Sequence, residues 1–378
     1  MNEEQVAKAR NYFPYLKKDL IYFNHASTAP LTTVVKAAID NLLNDKNEGK
    51  IDEYNELLQK VTETKEMLAL MLNATSGCIA FTENTSIGLN ILAQGIEWKK
   101  GDGIILNDVE FPANVYPFLN LQSKGVEIDF VKSKNGIVTA EDIIEAIKSN
   151  TKLISVSFVQ FLSGYKINLE KLGNVCKEKE IIFSVDGIQG LGALNIDVEK
   201  CKIDFISCGT QKWMLGLQGM GFIYTRKELR NKMNVPFAGW LSVDNPWNLL
   251  DYKLKLKRNA NKFQPGTLNT LGIYALNAAL KMFNEFGFEN IEQQVIANSA
   301  YFINRLVESG FDPVLKNCNE ENLSGIVSLK TNDAEEIFNY LLKKNITGAF
   351  REGYIRFAPH FYNTQKDIDK VVAELKNY

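Results

Sequence analysis

Two residues carry the first chemical suggestion. Asp186 ends the apolar run IIFSVD (181–186), and Lys212 lies in CGTQKWMLG, just beyond the run DFISCGT (204–210). In open α/β sheets ligands gather at the carboxyl ends of strands. A carboxylate and an amine at two such ends suit pyridoxal phosphate (PLP). The lysine amine condenses with the cofactor's aldehyde, and the carboxylate keeps the pyridine nitrogen protonated so that the ring can accept electrons. A structural ion pair, or two solvated charges, accounts equally for the spacing taken alone. Thr85 and Ser86 precede a periodic apolar run that ends at Gly95. They give either a phosphate-binding helix start or plain N-capping. Arg356, in YIRFAPHFYN, has the chemistry to grip a carboxylate in two-pronged fashion, or to sit on the surface.

The elements that must hold these residues follow from the hydrophobic pattern. Short apolar runs at 78–82, 103–107, 126–132, 153–159, 181–186, 204–210 and 221–226 read as strands. Several of them alternate with helical stretches, among them 61–73, 140–148, 169–180 and PANVYPFLNLQSKG (112–125). Strands separated by helices imply a mostly parallel sheet covered on both faces. A further short strand is expected at 21–24. From about residue 245 the pattern becomes α+β: a long helical stretch, strands at 324–330 and 354–358, a helix at 333–345, and a last helix that opens at Thr364 with Asp367 three residues on, a capping box. The expected organisation is a large α/β domain over 15–245 and a small α+β domain made of 1–14 and 246–378.

Composition narrows the function. The 378 residues carry 43 basic and 45 acidic side chains, a formal charge of −2, which gives no electrostatic reason for nucleic acid or an anionic membrane as partner. No run is long enough to span a bilayer or resembles a signal peptide, and five unpaired-looking cysteines (78, 176, 201, 208, 318) suit a reducing, cytoplasmic setting. Two histidines, His25 and His360, exclude a multi-histidine metal centre, so no metal is expected. There is no Gly-x-Ser-x-Gly elbow for a serine hydrolase. GLQGMG (216–221) precedes a strand and GIQGLG (187–192) lacks the required spacing, which makes a NAD-binding oxidoreductase the weakest candidate.

Taken together, YFNHASTAP (22–30), TENTSIGLN (82–90), VEFPANVYPF (109–118), VSFVQFLSGYKINLEKLG (156–173), SVDGIQGLGALNIDV (184–198), DFISCGTQKWMLGLQGMGFIY (204–224), FAGWLSV (237–243), FQPGTLNTLGIYAL (263–276) and IRFAPHFYNTQKDID (355–369) resemble the class V aminotransferase family of PLP enzymes. The resemblance is to its branch of cysteine desulfurases, selenocysteine lyase and isopenicillin-N-epimerase-like proteins, and it covers nearly the whole chain. It implies the aspartate-aminotransferase-like fold, known as fold type I. It further implies Lys212 as the PLP lysine, Asp186 against the pyridine nitrogen, Thr85 and Ser86 on the phosphate, and Gln189 on the phenolic oxygen or phosphate. Gln160 would touch the phenolic oxygen and Arg356 the substrate α-carboxylate. Thr267 would reach the neighbouring subunit's phosphate, making a homodimer with shared sites. His25 lies in a segment that lines the family's active site, as an acid–base group, a substrate contact or a structural hydrogen bond, and His360 shapes the loop holding Arg356.

Three departures bear on the reaction. Phe111 stands where the desulfurases stack a histidine on PLP, and Gln211 replaces the histidine that commonly precedes the lysine. ITGAFREGYIR (346–356) has no cysteine where one desulfurase group keeps its nucleophile. The expectation is therefore a class V aminotransferase acting on a small amino acid with a keto acid as acceptor. A cysteine or selenocysteine lyase of desulfurase type, or an amino-acid epimerase, is the alternative, and a catalytically silent PLP-containing scaffold is the reading from a different class.

Overall fold

The computed structural model describes residues 1–52 and 54–378. Twelve strands occur among the described residues: β1 (Ile21–Tyr22), β2 (Ile79–Thr82), β3 (Gly103–Asn107), β4 (Glu127–Val131), β5 (Thr151–Ser157), β6 (Ile182–Asp186), β7 (Phe205–Gly209), β8 (Gly221–Thr225), β9 (Val327–Lys330), β10 (Ile346–Thr347), β11 (Ala349–Arg351) and β12 (Tyr354–Phe357). Seven form one sheet in the order β2-β8-β7-β6-β5-β3-β4. Every pairing in it is parallel except those made by β8, which runs antiparallel to both β2 and β7. β3, β6, β7 and β8 read as near-continuous apolar runs because helices cover both faces, and each has at most one residue that is not fully buried. β4, at the edge, is the exception.

A three-stranded antiparallel sheet, β11-β12-β9, forms beside it, and the short β1 pairs with β10 in parallel. The N-terminal segment is tied to the C-terminal one: Arg10 Nη1 donates to Asp367 Oδ2 at 2.8 Å and to the Tyr362 carbonyl at 3.1 Å. Those bonds support grouping residues 1–14 with 246–378, a division we retain as a proposal. The capping box at Thr364 is present, with the hydroxyl accepting from Asp367 N.

Two elements differ from the sequence expectation. Residues 112–125 do not form one helix: a 3₁₀ turn (Pro112–Asn114), one α-turn (Tyr116–Leu119) and a second 3₁₀ segment (Asn120–Lys124) follow each other. Pro112 suits the first position of a helix, but Pro117 lacks the N–H that a continuous helix would need there. The strand expected over 21–24 shortens to two residues, with Asn24 joined to Ala358 by an isolated bridge.

Candidate active site

β6 and β7 lie side by side and parallel, so their carboxyl ends open onto one place. Asp186 is the last residue of β6, and Lys212 follows β7 by three residues. The turn that carries Lys212 is tightly held. Leu215 N donates to the Lys212 carbonyl at 3.1 Å, and Gly216 N to the Thr210 carbonyl at 2.8 Å. Leu215 takes φ 55°, an uncommon conformation for a branched side chain. A Cβ on Gly192 would lie 2.5 Å from the Trp213 carbonyl carbon and oxygen. That glycine lets the segment after Asp186 press against the backbone next to Lys212, which is a packing role and not a nucleotide-loop role.

The cleft above these strand ends encloses about 330 Å³ and is lined by Asn84, Thr85, Ser86, Phe111, Asp186, Gln189, Gln211, Lys212, Arg351 and Arg356, with Ala26, Ser27, Ala113, Phe161 and Ile188 between them. Asp186 Oδ1 accepts from Ile188 N at 2.9 Å, while Oδ2 is buried without a hydrogen-bond partner. Burial raises this carboxyl's pKa and the Glu110 charge adds to that; the Ile188 N–H and Lys212 oppose it. Lys212 is pushed the other way, chiefly by burial and further by the Arg356 charge, against the pull of Asp186. Its Nζ lies 5.6 Å from the centroid of the Phe111 ring, and that ring meets Phe161 edge-on at 5.4 Å.

The helix Thr85–Gly95 points its N-terminus at the same cleft. Its cap is Asn84, whose side chain accepts from Ile87 N at 2.9 Å, so neither Thr85 nor Ser86 is the capping residue. The Thr85 hydroxyl accepts from Gly209 N at 2.9 Å and keeps its proton to donate. Gly88 allows the docking, since a Cβ there would lie 2.1 Å from Ser207 Oγ. First-turn N–H groups beside two hydroxyls form an anion site.

Arg356 comes from β12 and is 3% exposed. Its Nη1 donates to the Phe161 carbonyl at 2.7 Å and its Nη2 to Ser27 Oγ at 2.9 Å, while Nε has no partner. Gln189 stands on the wall with both ends of its amide engaged, donating to the Ala26 carbonyl at 3.0 Å and accepting from Trp213 Nε1 at 3.1 Å.

Three expected residues are not brought to this cleft. His25 is fully buried behind it; Nδ1 donates to the Ala358 carbonyl at 2.8 Å and Nε2 accepts from the Tyr362 hydroxyl at 2.7 Å. Burial, with His360 nearby, holds its pKa well below the usual value. Both ring nitrogens are engaged within the protein, as the structural hydrogen-bond reading expects. Gln160 is turned away: its amide donates to the Val138 carbonyl at 2.6 Å and accepts from Val138 N at 3.3 Å. Its neighbour Phe161, which opens the turn closed by Gly164 N on the Gln160 carbonyl at 2.9 Å, faces the cleft instead. Thr267 is exposed and does not line the cleft of its own chain. His360 donates from Nε2 to the Trp213 carbonyl at 2.9 Å and accepts at Nδ1 from Phe361 N at 2.8 Å, bracing the turn that carries Lys212.

Sequence reasoning missed Glu110. It is buried and accepts from Asn107 Nδ2 at 2.6 Å, Ser157 N at 2.8 Å, Asn114 Nδ2 at 3.0 Å and the Ser157 hydroxyl. It ties the Phe111 loop to β5 opposite Asp186, with which Ser157 is in register. The signal available was a carboxylate set between the apolar Val109 and Phe111.

A seven-stranded, mostly parallel sheet, a lysine and an unpaired buried carboxylate at adjacent strand ends, and a helix N-terminus opposite them define a fold type I PLP enzyme. Residues 21–371 match the family model of class-V aminotransferases, and the chain belongs to that family. A probable cysteine desulfurase of Methanothermobacter thermautotrophicus is 26% identical over 93% of this chain and 93% of its own. An uncharacterized aminotransferase of Bacillus subtilis is 26% identical over 97% of this chain and 96% of its own. Among solved structures, the cystine C–S lyase C-DES in complex with its reaction product cysteine persulfide superimposes with a TM-score of 0.88. Its sequence is 22% identical, and the match covers 97% of this chain and 99% of that one. No helix among the described residues is long and apolar enough to cross a membrane.

The side chains present fit the cofactor. The buried Asp186 Oδ2 lacks the donor that a protonated pyridine nitrogen would supply, and the hydroxyls and N–H groups at Thr85 and Ser86 suit its phosphate.

Proposed function

We propose that the protein is a carbon–sulfur lyase acting by β-elimination on a small amino acid, without a thiol of its own. The observation that carries this reading is the make-up of the cleft wall. It offers one amine able to move a proton, Lys212, and none of the five cysteines, and His25 is sealed away. Cys208 is fully buried in β7, where its surroundings push the thiol pKa up, so it is not a nucleophile.

Bound PLP supplies an electron sink for the pair left at the substrate α-carbon. Lys212 would hold it, Asp186 would pair with its nitrogen, and Phe111 and Gln189 would flank it, with Thr85, Ser86 and Gln211 near the phosphate. Arg356 binds the α-carboxylate through its unpartnered Nε and adjacent Nη2, fixing the Cα–H bond. Lys212, its pKa lowered by burial, takes that proton as general base. The Cβ–S bond then breaks with its electron pair leaving on sulfur, which collects a proton and departs as a thiol. Addition of one water to the remainder yields pyruvate and ammonia. Epimerisation calls for a second proton donor on the opposite face, and Phe111 offers none. The relatives named cysteine desulfurase support the sulfur chemistry.

Transamination is the second reading, favoured by the relative named aminotransferase and by the ability of a single lysine to return the proton elsewhere. The deciding assay supplies the PLP-loaded protein with L-cysteine and, separately, with common amino acids plus a keto acid. Sulfide and pyruvate in equal amounts, abolished by Lys212→Ala, support the lyase. Keto-acid-dependent formation of a new amino acid replaces it with a transaminase, and a persulfide trapped on any cysteine replaces it with a desulfurase.

A homodimer is also part of the proposal. Trp240, Trp247, Leu249, Leu250, Tyr252 and Leu254 are exposed on one stretch, as is Thr267, and a second copy would cover them. Light scattering should give about twice 42.7 kDa.

A further inference from the structure

The hairpin that supplies Arg356 carries a second guanidinium into the same cleft. β11 and β12 pair antiparallel with Ala349 opposite Arg356, Phe350 opposite Ile355 and Arg351 opposite Tyr354. Two residues join them, Glu352 at φ 49° and Gly353 at φ 78°, the pair of positive values that a tight two-residue turn demands. With this register, alternation puts Ala349, Arg351, Tyr354 and Arg356 on one face, and Arg351 is the diagonal neighbour of Arg356. Both arginines line the cleft.

Their surroundings leave two anions too few. The wall of the cleft holds three cations, Lys212, Arg351 and Arg356, and one carboxylate, Asp186. Arg351 donates from Nη1 to the carbonyl of Phe350 at 2.7 Å and keeps its other donors. Arg356 bonds only a carbonyl and a hydroxyl. Among the described residues no carboxylate forms an ion pair with either arginine. The Arg351 charge bears on both Arg356 and Lys212. A substrate α-carboxylate answers Arg356. The cofactor phosphate has its own donors at the start of the helix Thr85–Gly95, across the cleft. The charge on Arg351 is then left for something else.

We propose that Arg351 is a specificity-determining residue that binds a second acidic group on the substrate, so that the preferred amino acid carries a carboxylate or sulfinate on its side chain. The inference rests on the functional reading above, for it needs an amino acid bound at Arg356. The same pocket then disfavours a cationic side chain by like-charge repulsion.

The test uses the PLP-loaded protein and reads the absorbance band of the bound cofactor as amino acids are titrated in, so that it reports binding apart from turnover. L-Aspartate and L-cysteine sulfinate are compared with L-asparagine and L-cysteine. A charge-assisted guanidinium–carboxylate contact predicts that the acidic pair bind about ten-fold or more tightly than the neutral pair. Arg351→Gln should bring the two acids down to the affinity of the neutral pair, and Arg351→Lys should restore part of the preference. Preference for cysteinesulfinate alone, with aspartate no better than asparagine, assigns the second group as sulfinate and supports the proposal. Equal affinity for all four amino acids in the parent overturns it and leaves the lyase reading standing. Loss of PLP from Arg351→Gln overturns it too, by placing the arginine on the cofactor's phosphate. A parent that takes up PLP and responds to no amino acid sinks both readings.

Discussion

His360 offers a quantitative check on how the Lys212 turn is held. Its imidazole is fully buried, donates from Nε2 to the Trp213 carbonyl and accepts at Nδ1 from Phe361 N. Protonation would place an N–H on Nδ1 facing the Phe361 N–H, turning a hydrogen bond into a donor–donor clash. Burial accordingly lowers the pKa from 6.5 to about 4. Between those two values the unfolded chain carries a proton at this position and the folded chain does not. Stability therefore rises with pH across the window and is lost as pH falls through it. A shift of that size corresponds to roughly 3 kcal/mol. Replacing His360 with glutamine keeps a donor for the Trp213 carbonyl and removes the titration. Other groups, Asp186 among them, are common to both proteins and cancel in the comparison. Urea unfolding of parent and His360→Gln from pH 7 to pH 4 should show the parent losing about 3 kcal/mol more than the variant. Parallel loss in the two proteins would refute the claim that this ring is held neutral.

Asp186→Asn keeps an acceptor for Ile188 N but no longer favours a protonated cofactor nitrogen; turnover should fall by at least about 10²-fold. The same variant, freed of a buried charge, should gain stability in the PLP-free form at alkaline pH, read from thermal melts. Glu110→Ala strands four donors and should cost ~3–5 kcal/mol in urea unfolding. Glu110→Gln leaves Asn114 Nδ2 as the main unpaired donor and should cost ~1–3 kcal/mol. Phe111→Ala should weaken PLP retention on dialysis by ~0.5–1.5 kcal/mol through lost ring contact, whereas Phe111→His should retain it.

The sheet was legible because its strands are buried on both faces and are therefore written as uninterrupted apolar runs; IIFSVD and DFISCGT needed no tertiary information to be recognised. Asp186 and Lys212 were legible for a related reason, being polar residues at the ends of those runs. What escaped was set by side-chain direction. Gln160 and Phe161 are adjacent, and only the turn that the chain makes there decides that one bonds Val138 while the other faces the cleft. His25 sits in the right segment, yet its two nitrogens are spent on Ala358 and Tyr362, partners more than 300 residues away in sequence. Residues 112–125 carry helical periodicity, but Pro117 divides it. Of the hairpin only its second strand was legible, in the run at 354–358; β11, three residues long, was not, and the turn is signalled only by Glu352-Gly353.

That hairpin has a consequence for how such clefts diverge. Because side chains alternate strictly along a strand, the face shared by Arg351 and Arg356 is fixed by the register of β11 on β12, and not by any contact that either makes. A one-residue insertion or deletion that slips β11 against β12, while β9 holds β12 in place, would rotate Arg351 out of the cleft and leave both arginines in the sequence. A change of one codon in length could therefore reset the charge of the substrate side of the site as thoroughly as a substitution. An alignment that scores only residue identities would pass over the event.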